Sequence, residues 1–320
     1  MKALKIILSI GLCSFLATVG AVYAQTGQVV DLQGTATARI IPPVVAGQPS
    51  AAPGPARTLR LGDNINQGET ISTGPQSRLA LRFEDGQLVS LSANSSFKIE
   101  TYIYNRAEPA RSNVLFNLVN GGMRAVTGLI GKAKPDAVSY RAGNATIGIR
   151  GTDVSFAING GNLIINVNTG QISFVPRPGA AAISVTVGNA ALSQADGKVT
   201  VGSPAVIAAA IQAAITANPM QAAALGQLAA AVVAVSPPGS ALATSVTAAV
   251  ANSGNTAALN AFTTALPSAD PNQQTTQTGP TTTSAGATTP SSSGSSGGGS
   301  LVPCTSVSPI RVPAGCNPPN

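Results

Sequence analysis

The sequence predicts a mainly β protein, followed by short Ala-rich helices and then a tail without a packing pattern. Three observations carry this reading. In short runs between residues 78 and 187 apolar side chains recur at every second position, the spacing of a strand with one buried face. Asp85-Gly86, Gly160-Gly161, Asn168-Thr169-Gly170, Gly188-Asn189 and Asp196-Gly197 fall between those runs. Such pairs tolerate the positive φ of tight hairpin turns. From Pro204 to Pro267 every charged residue disappears and the apolar spacing becomes helical.

Residues 1–24 read as an export signal. Lys2 and Lys5 precede an apolar stretch from Ile6 to Val22, and Val22-Tyr23-Ala24 forms a cleavable end, the pattern of a secretory signal peptide. The expected cut lies between Ala24 and Gln25. A retained anchor is the rival reading, because the stretch is about long enough to cross a bilayer. Leu12 stands before Cys13 where lipid attachment needs a small residue. Cleavage removes two lysines and lowers the net charge from +7 to +5.

Residues 25–203 form the predicted β-rich domain. Alternating runs cover 78–83, 87–91, 97–100, 146–149, 152–158, 163–167, 171–175 and 183–187. Asp85-Gly86 predicts a type I′ hairpin turn. The Pro- and Gly-rich stretch 42–55 reads as an inserted loop, and no helical pattern is visible inside this region. In 204–267, four short helices are expected near 204–217, 219–235, 241–252 and 256–266. Ser203, Asn218, Ser240 and Asn255 are their expected caps. Val206, Ile207, Ala210, Ile211, Ala214 and Ile215 make the stripe of the first; Met220, Ala224, Leu228, Val232 and Val235 make that of the second. Each is shorter than the ~20 residues of a membrane span. Residues 268–303, dominated by Thr, Ser, Gly, Pro and Gln with no apolar face, read as a flexible linker. The Pro-rich tail 304–320 holds Cys304 and Cys316, which in an exported chain read as one disulfide. A loop of that size would stabilise the tail by ~3 kcal/mol. The alternative, a two-thiol metal site, has no His or nearby carboxylate to complete it.

The chemistry of the chain is restrictive. It contains no His and no Trp, which excludes a Ser-His-Asp triad, a Cys-His dyad and imidazole metal sites. Ser95-x-x-Lys98 has the spelling of penicillin-recognising serine enzymes. Here it runs into a strand, which points the two side chains to opposite faces. Gly131-Lys132 lacks the Gly at 126 and the Ser or Thr at 133 that a phosphate loop needs. Glu84, Asp85 and Asp63 fall at turns, and each is expected to be either solvated or engaged in turn geometry; a distant carboxylate pair for glycoside hydrolysis is the alternative. No acidic run suits calcium, and the scattered basic residues do not interleave with aromatics as nucleic-acid binding would require. No cofactor and no metal are expected, and the protein is not expected to be an enzyme.

A family resemblance enters over residues 59–158. Leu61-Gly62-Asp63 followed by Gly68-Glu69-Thr70-Ile71-Ser72-Thr73-Gly74 resembles the opening motif of the FecR domain family. Ser77 to Gly86, a strand ending in Asp85-Gly86, resembles its next element. Leu118 to Thr127, with Gly122 and Arg124, resembles its glycine-arginine strand pair. Ala145 to Val154, with Gly148, Arg150, Gly151 and Thr152, is similar to its "A-x-x-G-V-R-G-T" segment. The resemblance implies a FecR-type, β-solenoid-like periplasmic domain without catalytic residues. It also implies a relay of signals between an outer-membrane transporter and an anti-sigma segment. With the export signal leading the chain, that cytoplasmic segment is not expected here. Gly121, Gly148 and Gly151 suit closely approaching or tightly turned backbone, and Arg150 is expected to satisfy turn carbonyls.

These readings converge on a non-catalytic envelope-binding or signalling-accessory module, periplasmic, secreted or on the cell surface of a Gram-negative bacterium. The alternative is a structural or surface-displayed assembly protein that uses the β-domain as scaffold and self-associates through 204–267. Arg78 and Arg82 share one strand face opposite Leu79, Leu81 and Phe83 and form the candidate binding face. Its expected partner is an envelope protein or an anionic polymer. Nucleic acid is not expected as a partner, nor is a membrane span after signal cleavage.

Overall fold

A computed structural model describes residues 25–42 and 52–266. The export signal with Ala24, most of the 42–55 loop, the linker 268–303 and the tail with Cys304 and Cys316 lie outside the described residues. The strands are β1 (Gln25–Gln33), β2 (Ala36–Ile40), β3 (Arg57–Thr58), β4 (Asn64–Asn66), β5 (Glu69–Thr73), β6 (Arg78–Phe83), β7 (Leu88–Leu91) and β8 (Ser96–Ile103). They continue with β9 (Asn113–Val126), β10 (Val138–Ala142), β11 (Ala145–Asn159), β12 (Asn162–Val175), β13 (Ile183–Thr186), β14 (Ala190–Ser193) and β15 (Val199–Gly202). All belong to one large mixed sheet.

That sheet folds over on itself. One layer runs β4-β1-β6-β7, then the second half of β9, the second half of β11, the first half of β12, β14 and β15. The other runs β3-β2-β5-β8, the first half of β9, β10, the first half of β11, the second half of β12 and β13. The three long strands therefore serve both layers. They bend at Gly121, Gly151 and Gly170, whose φ values of 91°, 60° and 77° suit glycine and are strained for other residues. A Cβ on Gly170 would stand 2.7 Å from the Gly151 carbonyl oxygen, so these two corners pack on each other.

The alternation seen in the sequence fills the space between the layers. Leu79, Leu81 and Phe83 of β6 are buried while Arg78 and Arg82 are exposed. Aromatic rings meet across the gap: Phe83 lies 4.7 Å from Phe116 and 5.2 Å from Tyr102, and Tyr140 lies 5.6 Å from Phe156. Such pairs add to the burial of their area. The solenoid-like expectation is not met. Neighbouring strands are antiparallel except for β9–β10, whereas a solenoid stacks repeated coils.

Four helices cover part of the first layer's outer face. These follow α1 (Leu129–Ala133), a single turn too short to show a period in the sequence, and are α2 (Pro204–Ala217), α3 (Ala222–Val235), α4 (Ala241–Asn252) and α5 (Thr256–Ala265). Ile207, Ile211, Leu225, Leu228, Val232, Val246 and Phe262 form a second core with Ala157 of β11, Ile164 of β12, and Ala190 and Leu192 of β14. Gly122 of β9 brings the sheet against α3, where an added Cβ would stand 2.5 Å from the Ala231 carbonyl oxygen.

Two details of the helices differ from expectation. Pro219–Gln221 is a 3-10 turn, so α3 begins at Ala222. The tighter turn changes the phase, leaving Met220 97% exposed; Val206 of α2 also faces outward. Among the four expected caps, Asn255 makes its side-chain bond, accepting from the Ala258 N–H at 3.0 Å, while Ser203, Asn218 and Ser240 make none. Among the described residues no single helix is long and apolar enough to cross a membrane, although the bent pair 204–217 and 219–235 passes on length and composition taken together.

Candidate binding face

The helices leave the outer face of β1, β6 and β7 uncovered. There Arg78 and Arg82 stand out on either side of Ala80. The register carries a row from Gln28 through Arg82 and Leu88 to Val126. Leu88 is half-buried and Val126 exposed, so the Arg82 guanidinium has apolar neighbours across the sheet. Arg78 lies 4.0 Å from the Asp31 carboxylate, with both side chains about half exposed, a pair of little energetic consequence. Among the described residues Arg82 enters no ion pair. The two arginines are thus together on one open face, as their spacing predicts.

The border with the helices is a polar chain of bonds. Arg124 of β9 donates to both oxygens of Asp153 on β11, at 2.9 and 2.6 Å. These bonds hold the guanidinium charged, raising its pKa above the ordinary arginine value. The Asn168 amide donates to Asp153 Oδ1 and to Ser155 Oγ, each at 3.1 Å. Ser155 Oγ in turn donates to the Val235 carbonyl at the end of α3. Arg124, a motif residue, is thereby linked through Asp153, Asn168 and Ser155 to the end of α3.

Arg150 does not have the role expected for it. Its side chain is exposed on the second layer, beside Ser139, Thr146 and Gly148, and among the described residues it bonds no turn carbonyl. The corner it precedes is held instead by Thr152 and Thr127: the Thr127 hydroxyl donates to the Thr152 carbonyl at 2.8 Å and accepts from the Thr152 N–H at 2.9 Å. Gly148 is no close approach, since an added Cβ would come no nearer than 3.8 Å to Ser173. Gly62 and Asp63 do make the expected turn, with Asp63 accepting from the Arg60 N–H at 2.8 Å. Gly74 sits where a Cβ would meet the Thr35 hydroxyl.

Asp85 serves its turn, as one of the two expected roles has it, but from the interior. It is 1% exposed, not a solvated tip. Gly86 donates to the Phe83 carbonyl and Phe83 to that of Gln87, with Gly86 at φ 81°. This is a three-residue turn closed by a glycine bulge, in place of type I′. It turns the Asp85 carboxylate inward. Oδ1 accepts from the Tyr102 hydroxyl and the Gln87 N–H, each at 3.1 Å, and Oδ2 takes a longer contact from the Ile130 N–H in α1. Gly128 makes room for it. Burial, then the carboxylate itself, pushes the Tyr102 phenol well above its ordinary range; Tyr140, fully buried nearby, is pushed up in the same way. Tyr102 lies two residues beyond the alternating run 97–100, and nothing in the sequence marks it as the partner of Asp85. Among the described residues no group of three or more acidic, His or Cys side chains could hold a metal ion.

Residues 69–173 match the family described as FecR protein, so the chain carries a FecR domain. The match takes in Asp85, Arg124, Asp153 and the corners Gly121, Gly151 and Gly170. No curated protein matches the chain. Two crystal structures, described as "a putative anti-sigma factor from Parabacteroides distasonis ATCC 8503" at 1.65 and 2.50 Å resolution, are 13% and 14% identical to it with TM-scores of 0.34 and 0.35. Each likeness covers 42% of this chain and spans about three-fifths (59%) of the other.

Proposed function

We propose that this chain is a non-catalytic recognition module of the bacterial envelope, a signalling-accessory protein built on its FecR domain. The observation that carries this reading is the open half of the first layer, where Arg78 and Arg82 stand beside Leu88 and Val126 with Asp31 as the acidic neighbour paired to Arg78. Such a face suits an acidic partner, a protein loop or an anionic polymer, through contacts that salt screens. The signal-like pattern of residues 1–24 supports a location in the periplasm or at the surface of a Gram-negative cell.

The test compares partners recovered from the organism's own envelope by the processed protein and by an Arg78→Glu/Arg82→Glu variant. The variant is expected to lose its partner while keeping the wild-type circular dichroism spectrum, and wild-type binding should weaken as salt rises. An unchanged set of partners would exclude this face. A second reading has one observation in its favour. The charge-free helices expose Met220, Val206 and Leu259, which suits self-association. Concentration-dependent oligomers that survive Arg78→Glu/Arg82→Glu but vanish with Met220→Ser would favour that reading.

A further inference from the structure

At one end of the sandwich three hairpin turns converge. They are the β10–β11 turn at Gly143, the β11–β12 turn at Gly160-Gly161 and the β14–β15 turn at Gly197. The missing side chains leave a cavity of about 230 Å³. A Cβ on Gly143 would stand 2.8 Å from Ile158 Cδ1, and one on Gly161 would stand 3.3 Å from Ala195 Cβ, so larger residues at either turn would fill it. Ile158 and Leu163 form its apolar floor.

The rim is polar and unengaged. Arg177, Asn144 and Gln194 line the opening, and among the described residues their side chains enter no hydrogen bond or ion pair. Arg177 Nη1 lies over the β14–β15 turn, 3.0 Å from where a Gly197 Cβ would be. The acidic residue of that turn, Asp196, serves the turn itself: its carboxylate accepts from the Lys198 N–H at 2.9 Å and lines a separate cavity on the helix side. The cavity therefore has one guanidinium and no carboxylate in its lining.

We propose that this cavity binds a small carboxylate-bearing group, with Arg177 on the carboxylate and the amides of Asn144 and Gln194 on neighbouring hydroxyl or amide groups. A guanidinium's fork of donors matches a carboxylate in plane and spacing. Pockets for drug-sized ligands begin at about 300 Å³, so this one holds a single ring or a single residue. Two sources share that chemistry, the uronic acid of an anionic glycan and the terminal carboxylate of a peptide. The site uses no residue of the Arg78–Arg82 face and stands or falls separately from it.

The test is a titration of the processed, isotope-labelled full chain followed by amide chemical shifts. The probes are glucuronate and N-acetyl-alanyl-alanine, with glucose and the amidated dipeptide as neutral counterparts. Carboxylate probes are expected to shift Gly143, Asn144, Gly161 and Gly197, and neutral ones to leave them in place. Arg177→Gln, an exposed substitution, should weaken binding roughly tenfold or more, the scale of a lost charge-assisted bond, while Arg78→Glu/Arg82→Glu leaves it unchanged. Response to glucuronate alone assigns the glycan source, to the dipeptide alone the peptide source, and to both a site that reads the carboxylate itself. Equal response to charged and neutral probes, no response at these residues, or unimpaired binding by Arg177→Gln would overturn the proposal.

Discussion

Two motif glycines that look alike in the sequence should answer oppositely to the same substitution. Gly122→Ala places a methyl group 2.5 Å from the Ala231 carbonyl oxygen and 2.8 Å from Ser92 Oγ. The serine can rotate, but it already holds the Gly122 N–H at 3.1 Å, and the carbonyl belongs to the backbone of α3. Overpacking of this kind costs about 1–3 kcal/mol, and a rigid neighbour puts the cost near the upper end. Removing a glycine from the unfolded chain returns about 0.4–1 kcal/mol, which leaves a net loss of about 2 kcal/mol. At Gly148 the methyl group meets nothing closer than 3.8 Å, so only the unfolded-state gain remains. A domain of this size moves its Tm by about 2–4 °C per kcal/mol. Thermal melts of the processed protein should therefore show Gly122→Ala falling by roughly 4–8 °C and Gly148→Ala rising by roughly 1–4 °C on that scale. If Gly122→Ala melts at or above the wild type, the close contact between β9 and α3 is not what requires glycine there.

Three further outcomes are expected. Asp85→Ala should cost about 3–5 kcal/mol in urea unfolding, because it strands the Gln87 N–H and the Tyr102 hydroxyl in the interior; Asp85→Asn, which keeps an acceptor oxygen, should cost less than half of that, and equal losses would contradict the hydrogen-bond account. Among the described residues the buried Tyr140 hydroxyl has no partner, so Tyr140→Phe should be neutral or stabilising by about 1 kcal/mol. The raised phenols of Tyr102 and Tyr140 keep their stabilising share below pH ~10 and lose it as the unfolded chain ionises above that value; Tyr140→Phe should accordingly move the alkaline unfolding midpoint upward, and an unmoved midpoint would count against it. A fragment ending at residue 203 would bare Ala157, Ile164, Ala190 and Leu192, all 0% exposed in the whole chain. It should aggregate or bind hydrophobic dye, and a monomer with a cooperative melt would show that the helices are dispensable.

Period-two alternation identified β6, β7 and the arms of β11 and β12 because each has one face in the core and one outside. The long strands were read as separate short ones. Each corner glycine resets the alternation as the chain passes into the other layer, and one sequence period cannot distinguish a corner from a hairpin turn. Gly160-Gly161 does close a hairpin, while Gly170 bends a continuous strand. The helices were legible from their caps, prolines and spacing, yet the face they cover was not. Ala157, Ile164, Ala190 and Leu192 belong to strands whose other side chains also face a core, so two-sided burial erased the polar half of the pattern. The turn role of Asp85 is legible from the glycine beside it and is seen in its bond from the Gln87 N–H; its burial is not legible, because the hydroxyl partner, Tyr102, is 17 residues away. Arg78 and Arg82 were found because exposure follows directly from strand spacing, whereas the Arg177 cavity depends on turns brought together only by the fold.

The helical layer also has a property that its packing role does not require. From residue 204 to 266 there is no Asp, Glu, Lys, Arg, His, Tyr or Cys, so nothing in it can gain or lose a proton, and no ion pair holds it to the sheet. Its attachment depends on apolar contact and neutral hydrogen bonds such as that from Ser155 to the Val235 carbonyl. Acid, alkali and changing ionic strength therefore reach this layer through the sheet that carries it. In a compartment whose pH and salt follow the surroundings, the two halves would age differently: a titrating half that senses the medium, and a proton-blind lid that remains seated until its support gives way.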